Sequence, residues 1–103
     1  MSYGGPERRR GGPDRRAAGE RVRILLVDHH ALIRVGMRSI IEREPDLEIV
    51  GEADDARSAL DAALETSPDI ILMDLSLPAP GGIEATQRIK RELPACGIIM
   101  LAV

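Results

Sequence analysis

Three short stretches of this chain are apolar at nearly every position: residues 24–27, 70–73 and 98–103. Runs of this length, bounded by turn formers or charges, predict strands buried on both faces. A fourth stretch, 47–53, carries Glu48 and Glu52 four residues apart. That spacing predicts both acids on one face, and so a strand with one wet side, as at a sheet edge. Between the strands the period changes from two to about 3.6. Ile33, Met37, Ile40 and Ile41 form one helical stripe, and Ala56, Ala59, Leu60, Ala63 and Leu64 form a second, with Asp54 or Asp55 as N-cap. Ile83, Thr86, Ile89, Lys90 and Leu93 form a weaker third stripe, opened by Gly81-Gly82 and stopped by Pro94.

The resulting order, β-α-β-α-β-α-β, predicts an α/β fold with a parallel sheet and right-handed crossovers. If the half-polar strand is an edge, the first strand lies between it and the third, giving the order 2-1-3-4. The strand order then reverses between strands 1 and 3, and ligand chemistry in such doubly wound sheets gathers at the carboxyl ends flanking the reversal. Those ends carry Asp28 and Asp74. The fourth strand is apolar up to Val103, with no covering helix after it. This predicts that the sequence stops inside a domain, short of a final strand and its helices, and that stability is marginal or depends on self-association.

Composition divides the chain in two. Residues 1–21 hold six arginines, five glycines and two prolines and no branched apolar residue, which predicts a disordered tail. Residues 22–103 form the partial domain. The tail has a net charge of +3 and the remainder −6, so the acidic body offers no surface for direct nucleic-acid contact. The single aromatic residue, Tyr3, supplies no stacking platform for bases. A lone cysteine, Cys96, excludes an internal disulfide framework and fits a reducing compartment. No apolar run is long enough for a membrane span and no secretory h-region is present, so a cytoplasmic protein is expected.

Two carboxylates at neighbouring strand ends can hold a hard cation through oxygen, and a carboxylate can attack phosphorus to give an acyl phosphate. At this point a resemblance enters. The segment Leu25-Leu26-Val27-Asp28-His29-His30-Ala31-Leu32-Ile33-Arg34 resembles the start of two-component response-regulator receivers, in which an acidic pair follows strand 1. The His and Arg, with Val50-Gly51-Glu52-Ala53, are similar to the branch that precedes a NarL-type helix-turn-helix. Pro68-Asp69-Ile70-Ile71-Leu72-Met73-Asp74-Leu75-Ser76-Leu77-Pro78, followed by Gly82, resembles the phosphoacceptor strand and its turn.

The resemblance implies a flavodoxin-like (CheY-like) fold and a signalling module rather than an enzyme. Asp74 would accept phosphate from a sensor histidine kinase. Mg²⁺ would be held by Asp28, Asp74 and the backbone carbonyl of Ser76, while Pro78 and Gly82 would shape the loop beneath. In full length a DNA-binding output domain is expected, and the receiver could dimerise.

Three departures from the pattern stand out. His29 replaces the second acid, an imidazole suited to Zn²⁺, Cu²⁺ or Ni²⁺ where Mg²⁺ wants oxygen, so Mg²⁺ should be weak or absent. Ala102 stands where the family carries a Thr or Ser hydroxyl, and the family's strand-5 lysine falls beyond Val103. The alternative is therefore a degenerate pseudo-receiver, acting as an interaction module without phosphorylation. A flavodoxin-like cofactor binder is disfavoured, because no glycine-rich phosphate loop is present.

Overall fold

The computed structural model describes residues 20–102. The tail proposed for residues 1–21 therefore lies outside the described residues apart from its last two, and so does Val103. The elements run β1 (Val22–Val27), α1 (Ala31–Ile41), β2 (Leu47–Ala53), α2 (Ala56–Thr66), β3 (Ile70–Asp74), α3 (Gly81–Glu92) and β4 (Gly97–Leu101). All the strand pairings are parallel, and the sheet order is β2-β1-β3-β4. This is the order expected from the apolar runs. The apolar runs 24–27 and 70–73 lie in the two central strands and the strand with two glutamates at one edge, while β4 forms the other edge and leaves Ile99 and Met100 exposed where its apolar run predicts burial on both faces.

Two clusters form on opposite sheet faces because strand side chains alternate. Leu25, Val27, Ile71 and Met73 point toward α2 and α3 and meet Ala56, Ala59, Ala63, Ala85 and Ile89. Ile24 and Leu26 point the other way, where Ile41 of α1 joins them. The N-cap expected at α2 is Asp55, and it forms a capping box: its carboxylate accepts from the Ser58 N–H at 2.8 Å, and the Ser58 hydroxyl accepts from the Asp55 N–H. At the other end of α2, the Arg23 guanidinium donates to the Thr66 and Ser67 carbonyls at 2.6 and 2.9 Å, satisfying helix-end acceptors with a cation.

The helical stripes need correcting. On α3 the buried residues are Gly82, Ala85 and Ile89, and Ile83 is exposed. The helix starts so close to β3 that a Cβ at position 82 would sit 2.5 Å from the Asp74 carbonyl oxygen, so the glycine faces the sheet and turns Ile83 outward. On α1 only Ile41 is buried; Ile33 and Ile40 are exposed.

Glu48 and Glu52 do not share a face either. The β1–β2 register slips between Ile24 and Leu25, so that Ile24 pairs with Ile49 but Leu25 with Gly51. One extra residue reverses the phase of the strand. Glu48 then lies beside Arg23 on the α2 side, whereas Glu52 lies on the α1 side and meets Arg34 and Arg38.

Candidate functional site

The carboxyl ends of β1 and β3 are neighbours at the reversal of strand order, and the chain places a carboxylate at each. Asp74 is the last residue of β3 and Asp28 follows β1 directly. They are 2% and 5% exposed, the only buried charged residues among those described. Buried carboxylates need hydrogen bonds to offset lost hydration, and each has found them.

The Ser76 N–H and hydroxyl donate to Asp74 Oδ1 at 2.8 and 2.7 Å. The His29 Nδ1 lies 2.8 Å from Asp74 Oδ2, and the His29 N–H donates to the same oxygen at 3.5 Å. Asp28 Oδ1 accepts from the His30 N–H at 2.8 Å, with the His30 Nδ1 3.0 Å away. Burial pushes the Asp74 carboxyl up, but the bonds from Ser76 and then His29 outweigh it and lower the pKa from 3.8 to about 2. Asp74 is therefore an anion at neutral pH.

Helix α1 begins inside this cluster. His30 is its N-cap residue, yet its side chain turns to Asp28 and caps nothing. One turn on, the Arg34 guanidinium donates to the Asp28 carbonyl at 2.6 Å and to Glu52 at 3.0 Å, tying the β1 end, α1 and β2 together. Arg34 and His30 were legible only as family-typical residues. Neither the tie from Arg34 nor the His30–Asp28 bond has a signal in spacing alone.

The other expected site residues fall around Asp74. Gly82 packs under its carbonyl, and the Pro78 carbonyl accepts from the Gly81 N–H at 2.8 Å, closing the turn into α3. Gly81 has φ +88°, a conformation that favours glycine. Ala102 follows Leu101, the residue paired with Asp74 across β3–β4, and offers only a methyl group there. One donor atom from each of Asp28, His29, His30 and Asp74 lies within 4.8 Å of the others. Such a cluster can hold a small cation, or present a carboxylate oxygen to an electrophile at the sheet edge.

Known proteins share this sequence pattern and this fold. A model of the response regulator receiver domain matches residues 24–103. The transcriptional regulatory protein LiaR of Bacillus subtilis is 46% identical over 80 residues, covering 78% of this chain and 38% of LiaR. The VraR response regulator of Staphylococcus aureus is 40% identical over the same length. A LuxR-family response regulator from Aurantimonas superposes with a TM-score of 0.77 at 47% identity, covering 81% of this chain and 59% of that one. The chain spans about two fifths of the length of the curated relatives it matches.

Proposed function

The chain belongs to the response regulator receiver domain family, and from that premise we propose that Asp74 is its phosphoacceptor, charged by a sensor histidine kinase. The observation that carries the reading is the ionised Asp74 carboxylate at the tip of a central strand, beside Asp28. In the reaction, a carboxylate oxygen of Asp74 forms a bond to phosphorus as the bond from phosphorus to the kinase imidazole nitrogen breaks. The electron pair returns to that imidazole, and Asp74 becomes an acyl phosphate. His29 and the Ser76 hydroxyl already contact the carboxylate and would orient it.

Receiver domains use Mg²⁺ at this position. The residues present do not fit it well, because His29 stands in place of an oxygen ligand and its ring contacts Asp74 Oδ2. The reading therefore routes no step through the metal. LiaR, of which this chain covers 38%, is a transcriptional regulatory protein. A DNA-binding partner domain, dimerisation through the receiver and a cytoplasmic location next to the kinase are the corresponding proposals here. No helix among the described residues is long and apolar enough to cross a membrane.

The test is incubation with acetyl phosphate and a divalent cation, followed by intact-mass measurement. One phosphoryl group should appear on the chain, disappear in Asp74→Asn, and accumulate faster in the double variant His29→Asp, Ala102→Thr. Labelling that survives Asp74→Asn would overturn the assignment. A specific observation favours a second reading: the imidazole on Oδ2 and the methyl of Ala102 both remove groups that phosphorylation would use. If only the double variant takes label, the chain is a pseudo-receiver that works by contact alone.

A further inference from the structure

We infer that Asp28, His29, His30 and Asp74 form a site for a divalent transition metal of the Zn²⁺ class, held by two carboxylates and two imidazoles. The site stands on this cluster of side chains and not on phosphorylation of Asp74, so the two readings fail separately.

The donor set decides the class of metal. Imidazole suits Zn²⁺, Co²⁺, Ni²⁺ and Cu²⁺, whereas Mg²⁺ takes oxygen in octahedral array and keeps its waters. Four donors of mixed nitrogen and oxygen are the number a tetrahedral Zn²⁺ needs. Bonds of about 2 Å place tetrahedral ligands roughly 3.3 Å apart. The four donor atoms already lie within 4.8 Å of one another, so closing on an ion asks for side-chain rotation and no movement of the strands.

The burial of the carboxylates points the same way. Two buried carboxylates side by side repel, and apart from the Ser76 hydroxyl and the backbone N–H groups of Ser76, His29 and His30, the groups that contact them are imidazoles, with no Lys or Arg side chain among them. Asp28 Oδ2 accepts no hydrogen bond from any described residue, although its side chain is more than nine-tenths buried. An ion would satisfy that oxygen and replace the two imidazole contacts with coordination bonds. The rings are also neighbours, with centroids 3.8 Å apart, so two consecutive residues reach two different carboxylates. His29 and His30 are the chain's only histidines. The one thiol, Cys96, is buried before β4, at the far end of the sheet from Asp74.

The experiment is titration of the tag-free full chain with Co²⁺, Zn²⁺ and Mg²⁺ separately, read by calorimetry and by the ligand-field absorption of Co²⁺. One Co²⁺ should bind per chain with a tetrahedral-type spectrum, be displaced by Zn²⁺, and resist a tenfold excess of Mg²⁺. His29→Ala and His30→Ala should each weaken binding at least about tenfold, the lower end of what even outer-sphere partners contribute. Cys96→Ser should leave it unchanged. His29→Asp, a receiver-like acid at the same place, should shift preference toward Mg²⁺, and it carries the test if an alanine variant fails to fold by circular dichroism. Absence of binding at one ion per folded chain, binding indifferent to both histidines, or displacement of Co²⁺ by Mg²⁺ would overturn the inference.

Discussion

The two faces of the sheet are built by different forces. On the α2–α3 side, Ala59, Ala63 and Ala85 let the helix backbones approach, and Leu25, Ile71 and Met73 are fully buried beneath them. On the α1 side the buried set shrinks to Ile24, Leu26 and Ile41, and α1 leaves Leu32 81% exposed along with Val35 and Ile40. What holds α1 is largely polar: Arg34 and Arg38 on Glu52, and Arg34 on the Asp28 carbonyl. One side is held by close packing and the other by charge. The two buried carboxylates sit where the two meet, and from the charged side His30 reaches the Asp28 carboxylate while Arg34 reaches its backbone carbonyl.

The contrast can be broken at its strong side first. Ile71→Ala should cost about 2–5 kcal/mol, read as a fall in the urea midpoint, because a central core side chain leaves a cavity. Ala59→Leu should cost about 1–3 kcal/mol by overpacking the same interface. Gly82→Ala belongs with it, since the new methyl group meets the Asp74 carbonyl. That variant should also displace the amide resonances of residues 74–76 while the α1 resonances hold still.

The charged side responds to solution conditions instead. Glu52 has its pKa lowered chiefly by the hydrogen bond from Arg38. Its contribution is therefore fully present above the ordinary value of 4.5 and is lost as pH falls through the lowered one. Glu52→Gln should cost under about 1 kcal/mol at neutral pH, the ceiling for a largely solvated pair. The deficit should vanish below the carboxylate range and shrink in high salt. Leu32→Ser should change stability by no more than about 0.5 kcal/mol. A larger loss there would mean that α1 is packed as tightly as α2.

Strand order and the meeting of Asp28 with Asp74 were readable in advance, because both follow from where apolar runs sit and from one rule of doubly wound sheets. The face of α3 was not. Its key residue is Gly82, which has no side chain to register in a hydrophobic pattern and acts by what it lacks. The α1 stripe misled for the opposite reason: Ile40 looks like core, but no described element covers it. The partners of His29 and His30 were hidden because adjacent residues diverge to two strands, a matter of backbone direction at the start of α1.

The slip at Ile24/Leu25 makes the edge strand behave like a gear with one doubled tooth. Before it, odd-numbered side chains of β2 answer to α1; after it, they answer to α2. Removing Val50 would put both halves of β2 back in step, with Glu52 still opposite Leu26 on the α1 face and Glu48 still opposite Arg23 on the other. The spare residue at the rim is thus what sends two acids of like parity to opposite sides, one to Arg23 and the other to the helix that begins beside the carboxylates.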